Sequence, residues 1–352
     1  MKIHLLSGFL GSGKTTAIQN AAQQLIRQGI KTGVVTNDQG SKLVDGKLFQ
    51  SLDIPNREVI NGCFCCNYQD LDAGIMSLAT DSGTTVIFAE SVGSCTDIVA
   101  TVAKPLLQFH PEAQVTVSVF ADVRLLQMMF TEGASPFDED VRYIYLKQLE
   151  EAGIIVINKV DLINAEALAA VKDTMQHQYS AKKILYQDSR NTNSVRQWLE
   201  TLDSYHDAGT LQSLNINYDI YAVGEAKLAW VDQVVEIFSL EYHALQYAQK
   251  LVYKIYGDVL ANGFAIGHLK FLINDSIKLS FTSEKEPAVS LEIKPAATAL
   301  VLINMRVQAA PGMLAELVAH AIAEIESEPG CRIIVNSLSA FQPGYPRPVY
   351  RM

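Results

Sequence analysis

The stretch that decides the fold is MKIHLLSGFLGSGKTT, residues Met1 to Thr16. A short apolar run around Ile3–Leu6 predicts a strand, and the segment Gly8–Thr15 after it matches G-x-x-x-x-G-K-[ST]. In this pattern the glycines let successive backbone N–H groups face a phosphate, and the next helix adds the positive end of its dipole. The stretch therefore predicts a strand, a phosphate-binding loop and a helix that begins at Lys14.

The loop also supplies the predicted nucleotide contacts. Lys14 would reach the β- and γ-phosphate oxygens, and the hydroxyl of Thr15 would ligate Mg²⁺. A glycine-rich turn with a chance lysine is the alternative, but the strand before the loop and the helix after it argue against that reading. The predicted nucleotide-binding residues of this stretch are Gly8, Gly11, Ser12, Gly13, Lys14, Thr15 and Thr16.

The composition describes a globular chain of about two domains. Of its 352 residues 49% are hydrophobic and 19% are charged, and the formal net charge is −10. This negative charge argues against a general surface for nucleic acid or anionic membranes. No apolar run approaches the ~18 residues of a membrane helix. We therefore expect a cytoplasmic protein with neither a nucleic acid nor a membrane as its partner.

Short apolar runs alternate with amphipathic stretches from Met1 to about Leu202, a pattern typical of a parallel sheet with helical crossovers. The predicted fold class is α/β: a P-loop NTPase with a doubly wound, mainly parallel sheet, followed by a smaller α+β, ferredoxin-like domain. A polar linker over Asp203–Thr210 separates a domain at 1–205 from one at 214–352. The second domain is predicted to begin with a strand at Ile216–Val223 and to include another at Val289–Ile293.

Polar residues follow two of the predicted strands, where ligands bind in such sheets. The loop Thr36–Gly40, with Asp38 and the later Asp45, either closes over a γ-phosphate or is an ordinary surface loop. Glu90 ends a hydrophobic strand and would hold Mg²⁺ or its water, while Gly93 would let the backbone approach the γ-phosphate. Lys14, Asp38 and Glu90 are the predicted catalytic residues.

Three of the five cysteines fall within four positions, at Cys63, Cys65 and Cys66. Thiolates at this spacing suit Zn²⁺ or another transition metal. A redox pair and a set of small buried hydrophobic residues are the alternatives. Asn67 is expected to cap the next helix, whose N-terminus would lower the cysteine pKa values. Because three sulfurs leave a tetrahedral site incomplete, a fourth ligand from elsewhere, or water, is needed.

The segment Asn158-Lys159-Val160-Asp161 follows a predicted strand and suits guanine recognition. The carboxylate of Asp161 would accept hydrogen bonds from guanine N1–H and the 2-amino group, which adenine cannot offer as a pair. Lys159 would lay its aliphatic stem along the ring. Ser189, after another predicted strand, would add a base contact. These residues predict GTP as the nucleotide.

The motifs together resemble the CobW-type family of P-loop GTPases, relatives of the nickel-handling accessory GTPases of urease and hydrogenase. The resemblance rests on Gly8–Thr16, Cys63–Cys66, Glu90 with Gly93, and Asn158–Asp161, and covers about the first 200 residues. It implies a GTP-driven metallochaperone or metallocofactor-maturation role and, for some members, zinc transfer. Ser41 stands where the family usually has a second glutamate.

The predicted function is slow GTP hydrolysis coupled to metal binding at Cys63, Cys65 and Cys66, with GTP, Mg²⁺ and Zn²⁺ or another transition metal as cofactors. The alternative is a GTP-dependent adaptor that acts on a cofactor enzyme, such as a corrinoid enzyme, and transfers no metal. A client metalloenzyme or cofactor protein is the expected partner, and a homodimer is a further hypothesis. Cys95 and Cys331 are expected to be isolated core thiols. His268 is either a metal ligand or partner contact or, the favoured reading, a half-buried strand histidine with a structural hydrogen bond. The tail Gln342–Pro348 either lies across its own domain, the favoured reading, or binds a partner.

Overall fold

The computed structural model describes residues 1–40, 44–205, 211–283 and 294–352, and these form two compact units. The first unit comprises Met1–Gln39, Leu52–Glu225 and Tyr345–Met352, and the second comprises Gly40–Ser51 and Ala226–Gly344. These bounds differ from the predicted ranges 1–205 and 214–352. A short segment of the first half belongs to the second unit, and the last eight residues belong to the first unit.

A parallel sheet organises the first unit. In the described residues its strands are β1 (Lys2–Ser7), β2 (Thr32–Asn37), β3 (Asn56–Val59), β4 (Val86–Glu90), β5 (Gln114–Asp122), β6 (Ile154–Asn158) and β7 (Lys183–Gln187). They are arranged in the order β3-β2-β4-β1-β5-β6-β7, and every neighbouring pair is parallel. The predicted parallel sheet is confirmed.

Helices connect these strands, as a parallel sheet requires. The described helices are α1 (Lys14–Arg27), α2 (Val44–Ser51), α3 (Tyr68–Asp81), α4 (Lys104–Phe109), α5 (Val123–Leu126), α6 (Glu139–Glu151), α7 (Ala165–Gln178), α8 (Thr192–Ser204), α9 (Tyr218–Lys227), α10 (Ala244–Ala261) and α11 (Pro311–Glu326). Shorter π-helical or 3₁₀ turns occur at Val99–Ala103, Gln127–Thr131 and Val160–Leu162. None of the helices in these ranges combines the length and apolar character needed to cross a bilayer.

Aromatic packing anchors helix α8 to the sheet of the first unit. The Trp198 ring packs against Phe88 and Phe120, with centroid distances of 5.8 and 5.2 Å, and its indole N–H donates to the Ser118 hydroxyl at 3.2 Å. Trp198 is fully buried, and burial of a large apolar side chain stabilises the fold by about 3 kcal/mol. The indole N–H is satisfied as well, so the ring is buried without a polar penalty.

The strand order creates a binding edge beside β1. The chain runs from β1 to β2 on one side of the sheet and continues after β4 with β5 on the other side of β1, and ligands bind at the carboxyl ends of the strands where the strand order reverses in this way. The register aligns Leu6 of β1 with Glu90 of β4 and with Ser118 of β5. The phosphate loop therefore begins at the same edge where Glu90 ends its strand.

An antiparallel sheet organises the second unit. Its strands are β8 (Leu228–Ser239), β9 (Ala265–Ile273), β10 (Ile277–Phe281), β11 (Thr298–Gln308) and β12 (Cys331–Phe341), in the order β10-β9-β11-β8-β12. Strands β8, β9, β11 and β12 with helices α10 and α11 follow the β-α-β-β-α-β arrangement of a ferredoxin-like domain, and β10 adds an edge strand. Leu251 and Ile255 of α10 and Val318 of α11 are buried in its core.

Helix α2 belongs to this second unit although it comes from the first half of the chain. Val44 packs against Leu272 and Leu302 of the sheet, and its backbone N–H donates to the Asn304 side chain at 3.3 Å. The carboxylate of Asp45 accepts from Lys270 at 2.6 Å and from Lys278 at 2.7 Å. These contacts tie α2 to the antiparallel sheet.

One element was predicted with the wrong type. Ile216–Val223 was expected to form a strand, but Tyr218–Lys227 is helix α9. The β-branched and aromatic residues favoured a strand, whereas Ile216 and Tyr221 instead pack around Ile144 of α6. The predicted strand at Val289–Ile293, Ser41 and residues 206–210 of the predicted linker lie outside the described residues.

Candidate functional site

The phosphate loop has the backbone that its glycines allow. Gly8, Gly11 and Gly13 all have positive φ, at 123°, 74° and 92°. A Cβ on Gly8 would lie 2.1 Å from the Phe120 carbonyl oxygen, so no other residue fits between the loop and β5. Helix α1 begins directly after Gly13, and its first N–H groups face the loop.

The side chains of this loop are arranged around an anion site. The Lys14 ammonium donates to the Gly8 carbonyl at 2.6 Å and contacts that of Phe9 at 3.4 Å. The Ser12 hydroxyl is buried and has no hydrogen-bond partner among the described residues. A buried hydroxyl without a partner costs free energy, and a phosphate oxygen in the loop would satisfy it. The geometry fits the triphosphate of a nucleotide.

Thr15 and Glu90 meet where Mg²⁺ was predicted. The Thr15 hydroxyl donates to the Glu90 carboxylate at 2.9 Å, and both side chains are buried. A hydroxyl and a carboxylate are oxygen ligands of the kind that Mg²⁺ takes. Gly93 packs directly on the loop, because a Cβ there would lie 2.8 Å from the Leu10 backbone nitrogen. The site residues after β1 and β4 are therefore brought together.

Asn158 joins the phosphate loop to the predicted base-binding residues. Its amide N–H donates to the Ser12 carbonyl at 2.8 Å, and its side-chain oxygen accepts from the Ser189 backbone N–H at 3.0 Å and hydroxyl at 2.8 Å. Asp161 is exposed in the 3₁₀ turn Val160–Leu162, where its carboxylate can meet a base. Lys159 adopts a left-handed backbone at φ 65°.

Asp122 and Arg124 are residues of this region that the sequence prediction missed. Asp122 ends β5, and its carboxylate accepts from Arg124 Nη2 at 2.6 Å and lies 2.9 Å from Lys159 Nζ. Burial alone would raise the pKa of Asp122, but the charges of Lys159 and Arg124 outweigh burial and hold it below its usual range. The aspartate thereby holds the Lys159 ammonium in place. An aspartate and an arginine two residues apart carried no motif signal.

The three clustered cysteines form a compact sulfur site. The Cys63 sulfur lies 2.7 Å from that of Cys65 and 3.5 Å from that of Cys66, and Cys65 and Cys66 are 3.8 Å apart. A tetrahedral ion bound at 2.3 Å to each sulfur separates the sulfurs by about 3.8 Å. The Cys63–Cys66 and Cys65–Cys66 distances already fit this value, and the Cys63–Cys65 distance would have to lengthen by about 1 Å. The donor set suits Zn²⁺ and other metals that prefer thiolates.

A tight turn and the loop after β2 hold this sulfur cluster. The backbone N–H groups of Cys66 and Asn67 both donate to the Cys63 carbonyl, at 3.1 and 2.9 Å. Asn37 accepts from the Phe64 N–H at 2.8 Å and donates to the Gly62 carbonyl at 2.7 Å. Asn37 directly precedes Asp38, whose N–H donates to the Val59 carbonyl at 3.0 Å. Asn37, a residue of the predicted loop Thr36–Gly40, is therefore hydrogen-bonded to the cysteine loop.

Two expectations about this region were wrong. The Asn67 side chain makes no capping bond to helix α3 and instead donates to the Ile60 carbonyl at 3.2 Å. The helix does not lower all three cysteine pKa values. Only the pKa of Cys63 is lowered, chiefly by its contact with the Cys65 thiol, and the contact with Cys63 raises the pKa of Cys66 to about 11.

Cys95 is not the isolated core thiol that was expected. It is buried, and its sulfur is 3.9 Å from Oε1 of Glu225 in α9. The Glu225 carboxylate also accepts from Gln39 at 2.5 Å and from Ser94 at 2.8 Å. Burial, with the nearby Cys63 charge, raises the pKa of Glu225 to about 8. Because α9 was predicted as a strand beyond the linker, no sequence signal connected Glu225 with the cysteines.

The segment Tyr345–Met352 lies across the cysteine cluster. The Arg347 N–H donates to the Cys66 sulfur at 3.3 Å, and the Val349 N–H donates to the Cys65 carbonyl at 2.8 Å. The Tyr350 ring packs edge-on against Tyr68 at 5.1 Å, next to the cysteine loop. This part of the tail therefore packs on the first unit.

Two other predicted residues belong to the second unit. Asp45 was expected beside the γ-phosphate, but both of its carboxylate oxygens are bonded to lysines of the antiparallel sheet, so that expectation is corrected. His268 is buried on β9, opposite Arg306 of β11 in the sheet register. Cys331 begins β12 in the same unit. These positions agree with structural roles for His268 and Cys331.

Comparison with known proteins matches residues 2–186 to the model of the nucleotide-binding domain of CobW/HypB/UreG. A zinc-regulated GTPase metalloprotein activator 1 from Dictyostelium discoideum is 26% identical over 243 residues, covering 58% of this chain and 48% of that protein. A zinc chaperone CobW from Sinorhizobium sp. is 28% identical over 202 residues, covering 51% and 56%. The chain thus spans about half the length of these curated relatives.

Among solved structures, the chain is similar in fold to HypB from Helicobacter pylori in complex with nickel. The sequence identity is 18% and the TM-score is 0.42, over 61% of this chain and 91% of that one.

Proposed function

The chain belongs to the CobW/HypB/UreG family of nucleotide-binding proteins, and on that premise we propose that it binds and hydrolyses GTP and couples the nucleotide state to metal binding at Cys63, Cys65 and Cys66. The observation that carries the proposal is the bonding of the cysteine loop to Asn37, the last residue of β2, which directly precedes Asp38. A change of the loop beside the nucleotide would reach the sulfur cluster over two hydrogen bonds. Zn²⁺ is the metal that the sulfur set and the relatives' names favour.

The nucleotide would be held by residues already described. Lys14 would move from the Gly8 carbonyl to the β- and γ-phosphate oxygens, and Ser12 would gain an acceptor. Thr15 and Glu90 would hold Mg²⁺, which neutralises the charge of the phosphates when it is bound. Gly93, packed on Leu10, would report the presence of a γ-phosphate. Lys14, Asp38 and Glu90 are the proposed catalytic residues.

Asp161 would recognise the guanine base by accepting its hydrogen bonds, and the aliphatic stem of Lys159 would pack along the ring. Asn158 and Ser189 would hold these residues in position through their hydrogen bonds. Asp122 holds Lys159 in place for this contact. In the cell we propose a cytoplasmic protein that delivers metal to a client metalloenzyme or cofactor protein, with a homodimer as one assembly. GTP is thus the proposed nucleotide and a transition metal ion the cargo.

The substitution Asp161→Asn tests the nucleotide assignment. It removes a charged acceptor and leaves one amide oxygen for two donors, so GTP affinity should fall by about ten- to a hundredfold, as expected from the loss of one charge-assisted hydrogen bond. ATP affinity, measured by the same calorimetric titration, should stay unchanged. Asp173→Asn on α7 makes the same charge change at an exposed site and serves as the matched control. Equal losses for GTP and ATP, or no loss for GTP, would contradict the assignment.

A further inference from the structure

The inference concerns the segment Tyr345–Met352, which crosses the sulfur cluster as an extended stretch with no helix or strand of its own. It is attached to the first unit at both of its ends. At one end the Tyr345 hydroxyl donates to Oδ1 of Asp219 at 3.1 Å, and at the other the Met352 N–H donates to the Ala100 carbonyl at 2.9 Å. The cysteines lie between these two attachments, so the segment spans them.

The middle of this segment covers the most accessible of the three clustered sulfurs. Cys63 and Cys65 are buried, whereas Cys66 is partly exposed. The Arg347 N–H donates to the Cys66 sulfur at 3.3 Å, and the Val349 N–H donates to the Cys65 carbonyl at 2.8 Å. These two bonds place the backbone of the segment on the side of the cluster from which an incoming ligand would reach a bound metal ion.

An ion pair fastens the segment beside the cluster. Arg351 Nε lies 2.7 Å from Oδ2 of Asp97, which also accepts from the Tyr218 hydroxyl at 2.7 Å. Asp97 is 1% exposed and has a φ of 65°, and its Oδ1 has no hydrogen-bond partner among the residues that the structure describes. A left-handed backbone and a buried, unsatisfied oxygen both cost free energy, and such strain is concentrated at functional sites. Asp97 also lies only four residues after Gly93, which packs on the phosphate loop.

The side chains of Tyr345, Arg347, Val349 and Arg351 are exposed. A surface segment of this kind can detach without opening the core of the unit. We propose that Tyr345–Met352 closes the sulfur site, and that metal enters and leaves when the ion pair between Asp97 and Arg351 opens and the segment lifts; this rests on the proposed metal-binding function. Asp97 is then a positioning residue, since it acts through the segment. The segment supplies no metal ligand, and the metal keeps its oxidation state as its ligands exchange.

Stopped-flow measurement of Zn²⁺ uptake by the full, reduced chain, and of Zn²⁺ release to a fluorescent chelator, tests this proposal. Arg351→Gln breaks the ion pair, and Val349→Pro removes the N–H that donates to Cys65. Each change should speed both uptake and release at least about threefold, the factor expected from the loss of one hydrogen bond. The equilibrium affinity should change less than either rate, because the segment holds no metal ligand.

Two matched variants serve as controls. Lys2→Gln removes the same charge from an ion pair of equal length, 2.7 Å, with Asp203 elsewhere in the first unit. Val349→Ala shortens the same side chain as Val349→Pro changes but keeps the backbone N–H. Both controls should exchange Zn²⁺ at the wild-type rates.

Wild-type exchange rates in Arg351→Gln or in Val349→Pro, or equal increases in the control variants, would overturn the proposal that the segment closes the site. Faster release without faster uptake would also overturn it, because the segment would then stabilise the bound metal and not block its path. Either result would leave the proposed function standing as long as Zn²⁺ binding disappears in the triple variant Cys63→Ser, Cys65→Ser, Cys66→Ser. Failure of the wild-type protein to bind Zn²⁺ would instead remove the proposed function, and this inference with it.

Discussion

His4 shows how a single buried side chain supports the strand that leads into the phosphate loop. Its ring lies 5.3 Å from that of Phe88, and its Nδ1 is 2.8 Å from the Thr116 hydroxyl. Burial lowers the pKa of His4 from 6.5 to about 4, so the imidazole is neutral in the folded protein at neutral pH. In the unfolded chain the ring regains its ordinary pKa and takes up a proton below pH 6.5.

The pH dependence of stability follows from that shift. The pKa of His4 is lower in the folded protein than in the unfolded chain. Its contribution to the free energy of unfolding is therefore complete above pH 6.5 and is lost as the pH falls toward 4. Between pH 7.5 and pH 5 the wild-type protein should lose about 2 kcal/mol of unfolding free energy relative to His4→Gln, which cannot titrate. Urea denaturation of both proteins at the two pH values measures the difference. Equal changes in the two proteins would show that His4 does not titrate on unfolding.

At the same scale, motif residues were easier to predict from sequence than their partners. Asn158 and Glu90 belong to local patterns with fixed spacing, and the structure brings them to the loop as those patterns imply. Asp122, Cys95 and Glu225 come from three distant parts of the chain. Their roles depend on strand register and on the position of helix α9, which spacing along the chain cannot reveal.

Helix α9 forms where the local sequence favours a strand. The residues before and within it are rich in tyrosine and β-branched side chains, which favour a strand. The helix nevertheless starts at a good cap, since the Asn217 side chain accepts from the N–H groups of Asp219 and Ile220 at 3.0 and 3.2 Å. Tyr221 and Glu225 are four residues apart and share one helix face, which is the face buried near Cys95.

The segment Tyr345–Met352 leads to a prediction about thiol exposure. Its backbone bonds to Cys65 and Cys66 shield these sulfurs, and Arg351 anchors it through an ion pair with Asp97 at 2.7 Å. A chain ending at Gly344 should therefore react several-fold faster with N-ethylmaleimide at Cys66. Peptide mass mapping of metal-free protein gives the rate at each cysteine.

Cys331 in the same sample is the internal control, because it lies on β12 in the second unit and should react equally in both proteins. An unchanged ratio of Cys66 to Cys331 labelling would mean that the segment does not protect the sulfur cluster. A similar increase at both cysteines would indicate general destabilisation, which also contradicts the prediction.

At the scale of the whole molecule, the chain is organised in a way that composition could only partly indicate. The alternation of apolar runs and amphipathic stretches, together with the phosphate loop, was sufficient to predict the parallel sheet. The later predicted strands and helices were sufficient to predict the ferredoxin-like unit. The assignment of Gly40–Ser51 to the second unit was not predictable. It depends on Asp45 meeting Lys270 and Lys278, which are more than 200 residues away in sequence.

We propose that the nucleotide site and the metal site are energetically coupled. Coupling free energies of this kind are about 1–3 kcal/mol, which corresponds to a change of roughly 5- to 150-fold in affinity. The link would run through Asn37 to the cysteine loop. Reciprocity requires that Zn²⁺ change the affinity for the nucleotide by the same factor.

The most direct test is a Zn²⁺ titration of the reduced, full chain with Mg²⁺ and a non-hydrolysable GTP analogue, with GDP, and without nucleotide. Coupling predicts Zn²⁺ affinities that differ at least about fivefold between the analogue and GDP. We also expect Zn²⁺ binding to be lost when Cys63, Cys65 and Cys66 are all replaced by serine. The same Zn²⁺ affinity in every nucleotide state would show that the two sites are not coupled.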